Sequence, residues 1–333
     1  MKTMNRRGVM AGGAGLAAAG LALAHAHAQG AVRTVGYLSN GERGDSLNAV
    51  WSKAILEGLA SQGFTVPGRL RWLDRYTGRP GREGLEALAL RLLEEGAELI
   101  TTNGASVRAA MSAVGGKVPI VFGFSADPVL AGLTDSLARP NHNATGVTMM
   151  MVELNAKRIE ILKQLVPTIR RIALLSFPNH PGEAGEIDVC RRTVASLGIE
   201  LQYLPVLDTS AVPKALADAE AAKADALIAL PDPVSIRSRS ELAAWAIARR
   251  MPFASGWSVL ADAGALMTYG PSLSASYQRV GWYAARILQG AKPADLPVEQ
   301  PTQFEMVLNL ATAKAINLQV PPMLQAIADR TID

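Results

Sequence analysis

From residue 33 onward the apolar positions follow two alternating rhythms. Short unbroken runs, "RTVGYLS" (33–39), "LRWLDRY" (70–76), "ELITT" (98–102) and "PIVFGFS" (119–125), read as strands buried on both faces. Between them the spacing changes to threes and fours. Leu47, Val50, Trp51, Ala54, Ile55 and Leu59 share one face of a helix over 46–62 that Gly63 ends. Leu85, Leu88, Ala89, Leu92 and Leu93 do the same over 83–95, up to Gly96, and a further helix over 106–114 completes the series. The alternation then repeats: helices over 152–165, 184–197, 211–222 and 239–250 are interleaved with strands at 171–177, 199–206, 225–230 and 252–255. Strand–helix–strand repeats build parallel sheets covered by helices. Two series, separated near 143–150, predict an α/β protein of two doubly wound parallel-sheet domains with a ligand cleft between them.

In such sheets ligands bind beyond the carboxyl ends of the strands, so the residues that follow each apolar run matter most. "FSADPV" and "LPDPV" end strands in the two halves with the same pair, Asp127-Pro128 and Asp232-Pro233. A proline fixes the backbone after the acid. Singly, each is common turn chemistry; the pairing places Asp127 and Asp232 on opposite walls of the cleft and marks Asp232 as a carboxylate aimed at a ligand. "TTNGAS" (101–106) ends one strand and opens a helix, where the N–H groups of Gly104, Ala105 and Ser106, the Ser106 hydroxyl and the Asn103 amide suit an anion such as a ligand carboxylate. Plain N-capping by Asn103 or Ser106 explains the same residues equally well. The loops "YLSNGERGDS" (37–46) and "SFPNHPG" (176–182) add Ser39, Asn40, Asn179 and His180 at the same edge, and Ser125, at the end of the fourth strand, joins them as a ligand-binding candidate.

Catalytic readings are thinner. Gly123-Phe124-Ser125-Ala126-Asp127 lacks the second glycine of a nucleophile elbow, and neither remaining histidine is an evident triad partner for Ser125. Asp127 and Asp232 could flank a glycosidic bond as acid and base, but no spacing in the sequence fixes their separation.

The first 28 residues change the picture of charge and location. Lys2, Arg6 and Arg7, an apolar run over 9–23 and Ala26-His27-Ala28 follow the three-part plan of an export signal cleaved before Gln29, by the twin-arginine or the general secretory route. Gly13-Ala14-Gly15-Leu16-Ala17-Ala18 fits a dinucleotide fingerprint only by letter, since no strand precedes it. Cleavage takes three positive charges and no negative ones from a formal +4, leaving +1, and no basic patch argues for nucleic acid. One cysteine, Cys190, excludes an intrachain disulfide and none stands near the cleavage site to carry a lipid. His142 and His180, all that remain of four histidines, are too few for a histidine-rich metal site. The expected product is a periplasmic monomer without metal or cofactor.

Three further stretches resemble a known family. "GALMTYGPSL" (264–273), "RILQGAKPADLPVEQPTQFEMVLNLATAKAINLQVPP" (286–322) and "MLQAIADRTID" (323–333), with "VFGFSADPVLAGLTDSLARPNHNATGVT" (121–148) and "LIALPDPV" (227–234), resemble substrate-binding proteins of ABC importers of the tryptophan/tyrosine type. The resemblance covers essentially the whole chain after the signal. It implies a type I periplasmic-binding fold with three crossings, near 145–148, 269–271 and 299–303. The lobes would then comprise 29–146 plus 271–300 and 147–270 plus 301–333, closing on a small solute that is handed to a membrane permease. It also carries Ser39, the 103–106 turn, Asp127, Asp232, Gly256 and Tyr269 onto cleft positions, and Trp257 beside Gly256 joins the candidates. The family's Thr-Pro after the third strand is Gly104-Ala105 here, and its Asn-Pro-x-Asn-Pro loop is Phe177-Pro178-Asn179-His180-Pro181. These departures weaken a tryptophan-like specificity and leave an amino-acid-like or carboxylate-bearing solute as the expected class. The alternatives are an exported hydrolase of the same architecture and a ligand-sensing subunit of a membrane kinase.

Overall fold

The computed structural model describes residues 31–44, 46–78, 82–149, 151–180 and 182–333; the expected export signal lies outside them. Strands β1 (Arg33–Ser39), β2 (Leu70–Tyr76), β3 (Leu99–Asn103), β4 (Ile120–Phe124) and β5 (Ala144–Thr148) form one sheet in the order β2-β1-β3-β4-β5. Every pairing in it is parallel. The second sheet contains β6 (Arg171–Ser176), β7 (Glu200–Pro205), β8 (Ala226–Ala229), β9 (Phe253–Ser255), β10 (Met267–Pro271), β11 (Phe304–Asn309) and β12 (Arg330–Ile332), in the order β12-β11-β10-β9-β8-β6-β7. Only β10 and β11 pair antiparallel; the rest are parallel. The expected fold class is the one observed.

Helices α1 (Ser46–Ala60), α2 (Arg82–Glu94) and α3 (Ser106–Val114) connect the first sheet. The second lobe holds α4 (Met151–Leu165), α5 (Glu183–Ser196), α6 (Val212–Ala221), α7 (Pro233–Arg237), α8 (Arg239–Ala248) and α9 (Ser258–Asp262). Helix α10 (Leu273–Leu288) returns to the first lobe, and α11 (Leu310–Ala315) and α12 (Pro322–Ala326) end in the second. The return is made possible by glycine. A Cβ on Gly281 would lie 2.0 Å from the Ile55 carbonyl oxygen, so α10 and α1 touch backbone to backbone.

The structure moves two of the expected lobe limits. β5 lies inside the stretch taken as the break, and pairing of Phe124 with Thr148 keeps Val147 and Thr148 in the first sheet. Pairing of Pro271 with Phe304 keeps Pro271 in the second. The chain therefore passes between sheets after Thr148, after Pro271 and before Phe304. The first and third passages touch: the Thr148 N–H donates to the Glu299 carbonyl (2.9 Å) and the Glu299 N–H to that of Gly146 (3.0 Å).

Candidate ligand site between the lobes

The carboxyl ends of β3 and β4 face those of β6, β8 and β9 across a narrow cavity of about 60 Å3 that residues of both lobes line. The first lobe contributes Asn40, Trp51, Asn103, Gly104, Ala105, Gly123, Ser125 and Tyr277; the second contributes Phe177, Asn179, His180, Pro233 and Trp257; Met149 closes the crossing between them. Trp51 from α1 and Tyr277 from α10 stack obliquely, with ring centroids 5.3 Å apart. The helix packing that Gly281 permits therefore also builds one aromatic wall.

In the same lobe α3 begins without a cap. Gly104 takes a left-handed turn (φ 48°), Ala105 precedes the helix, and no side chain accepts from the first turn. Asn103 and Ser106, the two residues able to cap, do neither: Asn103 Nδ2 donates to the Tyr37 hydroxyl at 3.1 Å, and the buried Ser106 hydroxyl has no partner. The helix opens with its amide dipoles uncompensated beside the cavity. The indole N–H groups of Trp51 and Trp257 are buried without an acceptor as well.

His180 joins the lobes. Its Nε2 lies 2.5 Å from Ser125 Oγ, while Nδ1 faces the Gly182 N–H at 3.4 Å and Glu186 Oε2 at 3.6 Å. Burial disfavours the imidazolium, but the hydrogen bond and charge of Glu186, with Asp232 and Glu183 behind, outweigh it and raise the histidine above its ordinary pKa. In that charged form Nδ1 donates toward Glu186 and Nε2 donates to Ser125 Oγ, which accepts. That is the reverse of what a nucleophile requires.

Behind this loop Arg158 of α4 is fully buried. Its Nε donates to the Tyr269 carbonyl at 2.7 Å, and a second guanidinium nitrogen to Asn155 Oδ1. Burial pulls it down to about 10 while Glu186, Cys190 and Tyr269 oppose the loss of charge.

The structure separates the sequence candidates. Asn40, Asn103, Ala105, Ser125, Asn179, His180 and Trp257 line the cavity; Ser39, Ser106, Asp127, Asp232, Gly256 and Tyr269 do not. Ser39 is buried and donates its hydroxyl to Asn48 Oδ1 at 2.8 Å. Asp127 is exposed at a separate opening with Glu153 and Gln300, where its Oδ1 accepts the N–H groups of Val129 (2.7 Å) and Leu130 (3.2 Å). Asp232 is buried and caps α7, its Oδ1 accepting the Ser235 N–H at 2.8 Å while the Ser235 hydroxyl accepts from the Asp232 N–H. Burial lifts it to about 6, against the Ser235 N–H and the His180 charge, and Oδ2 has no partner. Gly256 makes room rather than contact: a Cβ there would sit 2.5 Å from an Arg158 nitrogen and 2.5 Å from Pro231. Tyr269 packs on Phe304 at 6.2 Å between centroids. Trp51, Met149, Phe177 and Tyr277 were missed, although Trp51 and Phe177 lay in the segments already marked as helix face and loop. Among the described residues no three His, Cys, Asp or Glu side chains cluster as metal ligands, and no helix is long and apolar enough to cross a membrane.

Two doubly wound lobes facing across a cavity at their strand ends define a type I periplasmic-binding-protein architecture. Residues 43–332 match the family model described as ABC transporter substrate binding protein, and the chain belongs to that family. It is similar to a tyrosine-binding protein of Clostridioides difficile (strain R20291), with 22% identity over 80% of this chain and 76% of that one. Among solved structures it is similar to an ABC domain from Streptococcus pneumoniae in complex with L-Trp, at a TM-score of 0.80 and 19% identity over 91% of this chain and 100% of the other. It is also similar to the ligand-free, open structure of a substrate binding protein with adhesive properties from Clostridium difficile, at a TM-score of 0.66 and 19% identity over 91% and 99% of the two chains.

Proposed function

We propose that the protein is the exported receptor of an ABC importer, capturing a small aromatic molecule that bears a carboxylate and presenting it to a membrane permease. The observation that carries the reading is the inter-lobe cavity itself. Trp51, Tyr277, Phe177 and Trp257 can sandwich a ring, and the uncapped start of α3 at Ala105, with His180 opposite, can meet a carboxylate. Asn40, Asn103, Ser125 and Asn179 supply the remaining polar contacts. The lobes open and close about the three passages, and closure is favoured because the solute touches both. The names of the relatives, one binding tyrosine and one solved with L-Trp, support an aromatic ligand. The receptor acts as a monomer in the periplasm, without a metal or cofactor.

A thermal-shift screen of aromatic acids and aromatic amino acids tests this. A true ligand at a hundredfold excess over its dissociation constant adds about 2.7 kcal/mol of stability, and mass spectrometry recovers it unchanged. Trp51→Ala should abolish the shift. Failure of every aromatic compound to raise the melting temperature, or conversion of the captured one, defeats the reading.

A further inference from the structure

We infer that the cavity is built for an aromatic carboxylate without an ammonium group, a ring acid rather than a zwitterionic amino acid. The inference rests on the proposed function and narrows its ligand. Its basis is an imbalance between donors and acceptors. No aspartate or glutamate is among the lining residues. The three nearby carboxylates are engaged behind the wall. Asp232 caps α7 while Pro233, its neighbour, forms the surface. Glu186 faces the Nδ1 side of His180. Glu183 accepts the hydroxyls of Tyr203 (2.6 Å) and Ser176 (3.2 Å). An ammonium group brought here would be desolvated with no acid at the wall to receive it, an unfavourable transfer.

Donors are in surplus. The indole N–H groups of Trp51 and Trp257 lack acceptors although their residues are only 6% and 4% exposed. The first turn of α3 is uncapped at Ala105, and the Ser106 hydroxyl behind it is unpartnered. His180 is held toward its charged form by Glu186, Asp232 and Glu183. Buried donors without acceptors are uncommon in folded proteins and call for a partner. A ligand that brings oxygen acceptors and a flat apolar body answers those donors that belong to the cavity wall, the two indoles, the α3 turn at Ala105 and His180. Two acid oxygens behind the wall, Asp232 Oδ2 and Glu186 Oε1, have no partner and could still be sought by an ammonium, and the experiment is arranged around Asp232, whose neighbour Pro233 forms the surface.

The test is calorimetric titration of the ligand-stripped protein with matched pairs that differ only in the amino group: phenylalanine against 3-phenylpropanoate, tyrosine against 3-(4-hydroxyphenyl)propanoate, tryptophan against indole-3-propanoate. The acid of at least one pair should bind tenfold or more tightly than its amino acid. Trp257→Phe, which keeps the ring and deletes the N–H, should weaken that acid at least fivefold. Asp232→Asn, which keeps a capping side chain, should leave the acid's affinity within threefold. Amino acids that bind as tightly as the acids, or a tenfold loss on Asp232→Asn, overturn the inference and leave the receptor reading standing. If no member of any pair binds, the aromatic reading and this inference fall together.

Discussion

Asp127 and Asp232 each follow a buried strand, each precede a proline, and each give one carboxylate oxygen to the backbone of the turn they begin. Their surroundings differ in every other respect. Asp127 is exposed, and its turn ends in Val129 and Leu130, which are exposed too. Asp232 is 2% exposed and lies within the fields of His180 and Glu186, with Arg158 buried beyond them. One turn is a solvated strand end. The other carries a charge folded into a network of charges. An acid before a proline in a strand-end turn announces a cap; whether that acid is also a strained charge depends on what packs against its second oxygen.

Breaking the charged network should give the largest effect. Arg158→Met leaves Glu186 and Asn155 without their buried cation and should cost about 3–5 kcal/mol, read as a fall in the urea midpoint without a change in slope. No substitution around Asp127 should approach that.

The next effect is smaller and depends on pH. A carboxyl raised to about 6 in the folded state binds protons more strongly there than when unfolded. Its contribution to stability is therefore complete below about pH 4, the unfolded value, and is lost as pH rises through 6. His180, also raised, acts in the same direction at higher pH. The protein should be more stable at pH 5 than at pH 8. Asp232→Asn should be more stable than the parent by about 3 kcal/mol at most at pH 7.5, a gain that disappears by pH 4. Asp127→Asn should shift stability by under about 0.5 kcal/mol throughout. Denaturation of the three proteins across this range decides the matter; a parallel gain in both variants would erase the distinction between the turns.

The smallest effect tests the link between lobes. Ser125→Ala removes the hydrogen bond to His180 and should cost about 1 kcal/mol, read in the same denaturation series.

The parts of this molecule that were readable in sequence share a physical cause. Strands β1, β3, β4, β6 and β8 are covered on both faces and so appear as unbroken apolar runs. β5 did not stand out because "ATGVT" owes its place to Gly146, where a Cβ would lie 2.0 Å from the Phe122 carbonyl oxygen, and not to apolar content. β10 reads as "MTYGP", a strand interrupted by glycine and proline for the same kind of reason: a Cβ on Gly270 would meet the Gly256 carbonyl oxygen at 2.2 Å. In the cavity, the turn at 103–105, Asn40, Ser125, Asn179 and His180 were legible because sheet topology brings strand ends together, and Trp257 through the family resemblance at Gly256. Trp51 and Tyr277 were not, since a stripe of apolar residues on a helix serves core and cavity wall alike. Asp232 was read as a ligand contact because a cap and a binding carboxylate look identical until the neighbouring helix is in place.

The bond between Ser125 and His180 has a consequence in time. It joins a side chain of each lobe directly, with no atom of a solute between them. On the proposed opening motion, a solute arriving at the closed form must wait for that contact to part. The observed association rate should then rise with solute concentration only until it meets the opening rate, and level off there. The apparent affinity falls by the fraction of molecules that stand shut. Ser125→Ala, a slightly weaker fold, should accordingly capture its solute faster.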